Sequence, residues 1–192
     1  MNRRTVFKNL AMATAAAWML PSCISDPKKV SIALNRLDIS GDEESLLADL
    51  ADVIIPRGDA NSEDPAIAGP GARDVGAHLF ALVMVDDCLS KEERDKYLAG
   101  MRNFDNAVKS LTGKSFVKAS PDERLAILKE TEEKLSSLDE NVQVFYSRTR
   151  RYIIQGYTAS EHFMTKIKPY ELVPGPNYEG CVSISPDAKT IS

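Results

Sequence analysis

The chain has only two histidines, His78 and His162. Together with Glu161, they could supply the three protein ligands that a catalytic zinc ion usually has. However, 84 positions separate the two histidines, and nothing in the sequence indicates that the three side chains converge. Structural or interface roles are therefore the better interpretation of these residues, and a metal-dependent enzyme that uses all three is the alternative.

Motifs for a cofactor or a catalytic nucleophile are absent from the sequence. The lack of a Cys-x-x-Cys-His motif excludes covalently attached c-type haem, and neither a P-loop, a Gly-x-Ser-x-Gly nor a His-Glu-x-x-His motif occurs. Gly69, Gly71 and Gly76 do not have the spacing of a dinucleotide-binding fingerprint after a strand. We therefore expect no catalytic, cofactor-binding or metal-binding residues in this chain.

The N-terminus has the layout of an export signal. Arg3, Arg4 and Lys8 precede an apolar run from Leu10 to Leu20. As a helix this run would be only about 16 Å long, which is too short to span a membrane. The paired arginines, followed by Thr5, two apolar residues and Lys8, are typical of a twin-arginine signal, whose pathway exports folded proteins. Adjacent arginines also occur in ordinary secretory signals, which are the alternative.

The end of the signal resembles a lipoprotein cleavage site, Leu20-Pro21-Ser22-Cys23. Cleavage there would make Cys23 the lipid-modified first residue of a periplasmic protein held at the membrane by its lipid. The alternative is cleavage by the ordinary signal peptidase at Ala15 or Ala17. We predict a signal over residues 1–22 and a tether over residues 23–41.

The mature chain would be an acidic single domain. Removal of residues 1–22 leaves 170 of the 192 residues and takes away three cations, so that the formal net charge changes from −4 to −7. That length fits one domain, which would bury about 70% of its unfolded surface. An acidic chain without a basic run is a poor nucleic-acid binder, and we expect no nucleic-acid partner.

Two cysteines, Cys88 and Cys181, remain after Cys23 is assigned to lipid. In an oxidising compartment such a pair more often forms a disulfide than stays reduced. The bridge would close a loop of about 90 residues and stabilise the fold by about 4 kcal/mol in the chain-entropy description. Two separately buried thiols are the alternative.

Apolar residues recur at helical spacing in five segments, which predicts an all-α domain over residues 42–192. The predicted helices cover residues 42–55, 74–89, 91–111, 121–136 and 141–166. Capping-box patterns at Ser90 and Ser120 begin the third and fourth of them. A long Pro/Gly-rich loop over residues 57–71 is a candidate contact surface. The prolines and glycines after residue 168 predict an extended tail laid over the helices.

The fifth predicted helix contains most of the candidate residues for a partner interface. Phe145 and Tyr157 are best interpreted as core residues at helical spacing. Arg148, Arg150 and Arg151 are more typical of a solvated face with nearby carboxylate partners than of a binding patch. Glu161 and His162 follow a segment of small residues that lets another backbone approach, so this is where we expect a partner. The candidate interface residues are Tyr157, Glu161, His162 and Tyr178.

Several segments together resemble the family of gluconate 2-dehydrogenase subunit 3, the small subunit of membrane-bound sugar dehydrogenases. The resemblance covers most of the mature chain and rests on the order and spacing of the segments. The segments are Arg3-Arg4, residues 50–56 leading to Gly71-Ala72, residues 87–90 with Glu92-Glu93, residues 156–161, and residues 174–181.

The resemblance implies a non-catalytic accessory subunit. In such complexes a large flavoprotein holds FAD and oxidises the sugar or sugar acid, and a cytochrome c subunit with haem c often relays the electrons. The small subunit would bind the flavoprotein and carry it through the twin-arginine translocase. The alternative is a stand-alone periplasmic lipoprotein that binds a small ligand in a helical pocket near Glu161 and His162.

Overall fold

The computed structural model describes residues 30–59, 61–63 and 68–168, and every structural statement below concerns these residues. The predicted export signal, Cys23, Tyr178 and Cys181 lie outside them. Helices occur throughout the described residues and strands do not, so the prediction of an all-α domain is confirmed. The helices are α1 (Gly41–Ile54), α2 (Ala77–Cys88), α3 (Lys91–Thr112), α4 (Pro121–Glu133) and α5 (Glu140–Thr158), with a short 3₁₀ turn at Leu135–Ser137 and a π-helical turn at Phe163–Ile167.

Capping boxes fix where the helices begin. At the start of α3, the Ser90 hydroxyl accepts from the Glu93 backbone N–H at 3.3 Å, and the Glu93 carboxylate accepts from the Ser90 N–H at 3.1 Å. Glu123 accepts in the same way from the Ser120 N–H at the start of α4. These bonds satisfy backbone donors that have no partner within their helix. The two predicted capping boxes are confirmed, and a third, formed by Ser40 and Glu43, begins α1.

The carboxylate of Glu93, which caps α3, also connects α3 to α5, and this predicts that the stability of the fold depends on pH in the acid range. Arg148 donates to Glu93 at 2.6 Å, and this bond, followed by those from Ser90, lowers the pKa of Glu93 to about 2. A carboxyl group whose pKa is lower in the folded state stabilises the fold above its unfolded pKa and loses that contribution as the pH falls through the folded pKa. We expect Glu93→Gln to reduce the loss of stability between about pH 4.5 and pH 2, measured by urea unfolding across that range.

Glu92→Gln is the matched control, because Glu92 is the exposed neighbour and its ion pair in the described residues is with Lys96, at 3.2 Å within the same helix. Exposed pairs of this kind contribute little. An equal change of the acid profile in both variants would contradict the assigned role of Glu93.

The core lies where α5 packs against α2 and α3. Aromatic rings from α3, from α5 and from the loop after α3 meet there. The Phe104 ring centroid lies 5.4 Å from that of Phe145 and 5.8 Å from that of Phe116. Tyr97 packs edge-on to Phe145 at 5.1 Å, and its buried hydroxyl lies 2.7 Å from that of Thr149. Phe145 is fully buried, as predicted.

The fifth helix is shorter than predicted. It ends at Thr158, and a separate π-helical turn follows from Phe163. The Ser160 hydroxyl accepts from the Phe163 N–H at 3.3 Å, and the Phe163 ring packs against Tyr157 with centroids 6.0 Å apart. The prediction of one helix over residues 141–166 was therefore wrong, because a local serine cap and an aromatic contact start a new turn there.

The residues before α1 form an N-terminal arm, defined here as residues 30–40, that packs on the helices. Leu37 and Ile39 are buried, and Val30, Ile32 and Leu34 pack against the core. The prediction of a tether is therefore corrected for residues 30–40, whose apolar side chains attach the chain to the domain, and for Gly41, which begins α1. For residues 23–29, which lie outside the described part, it stays a prediction.

The loop between α1 and α2 is closed at its base. The Gly58 N–H donates to the Gly69 carbonyl at 3.0 Å, and the Ala72 N–H donates to the Ile55 carbonyl at 2.8 Å. A side chain at Gly71 would lie 2.6 Å from the Arg57 backbone nitrogen, so only glycine permits this approach. The two ends of the Pro/Gly-rich loop are thus held together beside the C-terminal end of α1.

Candidate partner interface

Glu161 and His162 lie together on the surface, between α5 and the π-helical turn. With Val75, Ser160, Thr165 and Lys166 they line an open pocket of about 480 Å³. Glu161 is exposed, whereas His162 is half-buried and its buried Nε2 has no hydrogen-bond partner among the described residues. The structure thus places two of the predicted interface residues in one polar pocket.

Tyr157, the third predicted interface residue, is buried with 8% of its surface exposed. Its ring contacts Phe163, which confirms the core role predicted for it and leaves little of it for a partner to touch. Tyr178, the fourth, lies outside the described residues.

His78 lies in the first turn of α2 and is buried. Burial lowers the pKa of the imidazole and outweighs the opposing influence of Glu44, which favours a neutral ring. Its Nδ1 has no hydrogen-bond partner in the described part of the chain. No three side chains of the metal-binding types come together in residues 30–59, 61–63 and 68–168. The structure therefore does not bring His78, His162 and Glu161 together as a ligand set.

Cys88 is the last residue of α2, and its side chain is exposed. The alternative of a buried thiol therefore does not hold for Cys88. Its predicted partner, Cys181, lies outside the described residues, so the disulfide stays a prediction.

A longer groove, which the sequence did not reveal, runs between the C-terminal end of α1, α4 and α5. We call it the α1/α4/α5 groove. It consists of three adjoining cavities of about 530, 290 and 260 Å³ that share lining residues. Its apolar lining includes Val53, Ile54, Ile55, Leu125 and Ile154.

Two large apolar side chains of the groove are open to solvent. Leu125 on α4 is 46% exposed and Ile154 on α5 is 39% exposed. Apolar side chains scattered singly over a surface need no explanation, but several that line one groove indicate a binding surface.

The centre of the groove is polar and well ordered by hydrogen bonds. The Tyr146 hydroxyl donates to Glu132 at 2.7 Å, and the Arg150 guanidinium lies 3.3 Å from the same carboxylate. Burial, followed by the contact with Glu132, raises the pKa of Tyr146 well above its usual value, so the hydroxyl stays protonated and donates. Arg150 thus has the nearby carboxylate partner predicted for it, as does Arg148.

Arg151 differs from its neighbours. It is exposed, lines the groove, and forms no ion pair with any described residue. Lys129 on α4 is also exposed on the groove. Arg151 therefore offers free positive charge at the α5 end of the groove, and Lys129 offers it in the middle cavity, in both places next to apolar surface.

The sequence contained a weak signal for the groove. In α4, Ile127 and Leu128 are buried, whereas Leu125, which has the spacing of an apolar helix face with Leu128, is exposed. An apolar residue outside the buried face of a helix is compatible with an interface, but it identifies one only when the neighbouring helices are known.

A family model described as gluconate 2-dehydrogenase subunit 3 matches residues 41–175, which is more than half of the chain. The protein belongs to this family. The resemblance drawn from the sequence is confirmed, and the family name is consistent with an accessory subunit. The match includes both the groove and the pocket at Glu161 and His162.

No curated protein and no solved structure matches the chain. Among the helices in the described residues, none combines the length and apolar character that a membrane-spanning segment requires.

Proposed function

We propose that this member of the gluconate 2-dehydrogenase subunit 3 family is a non-catalytic accessory subunit. It binds the FAD-containing large subunit of a sugar or sugar-acid dehydrogenase, carries it through the twin-arginine pathway, and holds it at the periplasmic face of a membrane through lipid on Cys23. A cytochrome c subunit with haem c completes the complex and receives the electrons. The FAD belongs to the partner, not to this chain.

The family match is the observation that carries the proposal, because the family is named for the third subunit of a multi-subunit dehydrogenase. The sequence supports it, since Arg3 and Arg4 precede an apolar run in the layout of an export signal and the chain lacks recognisable cofactor motifs. The apolar groove beside free arginine and lysine side chains agrees with a role in binding another protein.

The test is purification of the tagged full chain from native membranes, followed by an absorption spectrum and identification of the co-purifying subunits. We expect flavin absorption and a large oxidoreductase in the same fraction. A colourless single species, obtained under conditions that preserve complexes, would overturn the proposal.

Replacement of both signal arginines by lysine is expected to strand both subunits in the cytoplasm. Arg3→Lys with Arg4→Lys keeps the positive charge that an ordinary secretory signal needs but removes the pair that the twin-arginine translocase recognises. The measurement is dehydrogenase activity and both subunits in periplasmic and cytoplasmic fractions, with Lys8→Arg as the control. Normal export of the double variant would show that the ordinary secretory route is used.

A stand-alone lipoprotein that binds a small ligand is the second candidate, and the pocket at Glu161 and His162 favours it. The buried, unpartnered Nε2 of His162 beside Lys166 could bind a hydroxylated carboxylate. With gluconate as the probe, this candidate requires a rise in the melting temperature of the lone protein that His162→Ala removes. Unchanged melting would count against it.

A further inference from the structure

We propose that the α1/α4/α5 groove is the surface that binds the FAD-containing subunit. It would receive a segment of that subunit that places apolar side chains along the groove and a carboxylate at its α5 end. This inference rests on the proposed function and adds to it the docking surface and the chemistry of the partner segment.

Exposed and partly buried apolar side chains from three helices line this groove. In the described part of the chain, four large apolar side chains are exposed, and two of them, Leu125 and Ile154, line the groove. The other two, Val83 and Val117, line none of the groove's three cavities. Val53, Ile54 and Ile55 extend the apolar lining along the end of α1. Covering this surface would remove it from water, which is the main favourable term in most protein associations.

The dimensions of the groove suit a short segment of a partner. It follows α4, whose 13 residues give a length of about 20 Å at the helical rise. An extended segment of about six residues or a helix of about 13 residues has the same length. Both are common ways in which one protein presents a segment to a groove on another.

Charge decides which segment fits. Glu132 is already engaged by Tyr146 and Arg150, so it offers little free negative charge to an incoming group. Arg151 and Lys129 are exposed and form no ion pair in the described part of the molecule. This local positive charge stands out in a chain whose formal net charge is −4. A partner carboxylate at the α5 end of the groove would pair with Arg151, since the planar guanidinium suits bidentate binding of carboxylates.

The opposite end of the groove carries charges of both signs. Asp52, Asp122 and Arg124 lie there; Asp52 is paired with Arg73 at 2.9 Å, and Arg124 is paired with Asp49 at 2.8 Å. Asp122 lies in the first turn of α4 and has no side-chain ion pair among described residues. The unpaired charge in the lining is therefore a carboxylate at this end and a guanidinium at the α5 end, and this difference favours one direction of binding for an acidic and apolar segment.

The test uses the full chain and the purified flavoprotein subunit that co-purifies with it, and measures their dissociation constant. We expect Leu125→Glu, Ile154→Glu and Arg151→Glu each to weaken binding at least tenfold, with the effect of Arg151→Glu falling at high salt. All three side chains are exposed, so the variants should fold normally, which circular dichroism and thermal unfolding will check.

Matched controls exist elsewhere on the surface. Val83→Glu and Val117→Glu place the same charge on equally exposed apolar positions outside the groove, and Lys118→Glu reverses an exposed cation outside it. These variants should bind like the unaltered protein. Glu161→Lys tests the competing pocket at Glu161 and His162.

The outcomes separate this inference from the proposed function. If the unaltered chain binds the flavoprotein and the groove variants bind equally well, the groove inference is overturned while the accessory role stands. Loss of binding only in Glu161→Lys would move the docking surface to the pocket. If the unaltered chain binds no flavoprotein, the proposed function fails. If the groove variants instead abolish a homodimer seen by light scattering, the occupant is a second copy and the inference is overturned.

Discussion

Replacement of Gly100 by alanine is expected to lower the free energy of unfolding by about 3 kcal/mol, although alanine is the better helix former by about 1 kcal/mol. Gly100 is a buried residue of α3 that lies against α5. A Cβ at this position would lie 2.0 Å from the Asn141 carbonyl oxygen and 2.7 Å from the Phe145 Cβ. Because one of these atoms is backbone, no side-chain rotation can relieve the clash, and the two helices must move apart.

Urea unfolding followed by circular dichroism measures this change. Asn103→Ala is the matched control, since Asn103 is an exposed residue one turn away on the same helix. It should be neutral or slightly stabilising. A Gly100→Ala variant as stable as the unaltered protein would show that α3 and α5 do not approach each other as closely as described.

The close approach of α3 and α5 also matters for the groove. On α5, Phe145 and Ile153 face the core, whereas the neighbouring Tyr146, Arg150 and Ile154 line the groove. The rotation of α5 on α3 therefore decides which side chains a partner can reach. A bulkier residue at Gly100 is expected to disturb both core and groove.

The helices could be predicted because their signals are local. Ser90 with Glu93, and Ser120 with Glu123, are capping pairs three residues apart that are visible in the sequence. Apolar residues at helical spacing in α3 predict its buried face: Tyr97, Met101, Phe104 and Val108 are buried, and Leu98, at the edge of the same stripe, is partly buried.

The features that sequence reasoning missed depend on contacts between distant residues. The break after Thr158 arises where Phe163 folds back onto Tyr157. The N-terminal arm has a mixed composition, and only its contacts with α1 and α2 show that it is part of the domain. For example, Glu44 accepts from both the backbone N–H and the hydroxyl of Ser31, 13 residues earlier.

The candidate site shows the same division. Glu161 and His162 were predicted from a local run of small residues and do lie in a common pocket. The groove forms where the end of α1, the outer face of α4 and one side of α5 meet. The spacing of residues within one helix cannot predict such contacts between helices. Ile154 illustrates the problem, because its neighbour Ile153 is fully buried and only the packing of α5 shows which of the two is exposed.

Replacement of Asp86 by asparagine is expected to lower the free energy of unfolding by about 3 kcal/mol at neutral pH. Asp86 is a buried residue of α2, with 2% of its surface exposed, and its carboxylate accepts three backbone N–H bonds from the N-terminal arm. The donors are Asn35 at 2.8 Å, Arg36 at 2.7 Å and Leu37 at 2.7 Å. An asparagine amide would turn a donor toward one side of this cluster and leave buried N–H groups without an acceptor.

The effect should depend on pH. Burial, the largest influence, raises the pKa of Asp86, but the three backbone donors together outweigh it and the net pKa is lowered. The ionised carboxylate therefore stabilises the fold above its unfolded pKa of about 3.9, and this contribution is lost as the pH falls through the lower folded pKa. The difference between the unaltered protein and Asp86→Asn should thus shrink below about pH 4.

Asp87→Asn is the control for Asp86, because it makes the same chemical change at the exposed neighbouring residue. Hydrogen exchange of residues 30–40 reports whether the arm is released. We expect the Asn35, Arg36 and Leu37 amides to exchange faster in Asp86→Asn, and at the rate of the unaltered protein in Asp87→Asn. With the arm attached at Asp86, the folded part of the chain begins within the arm and not at α1. Unchanged stability and exchange in Asp86→Asn would show that apolar packing of Leu37 and Ile39 is sufficient to hold the arm.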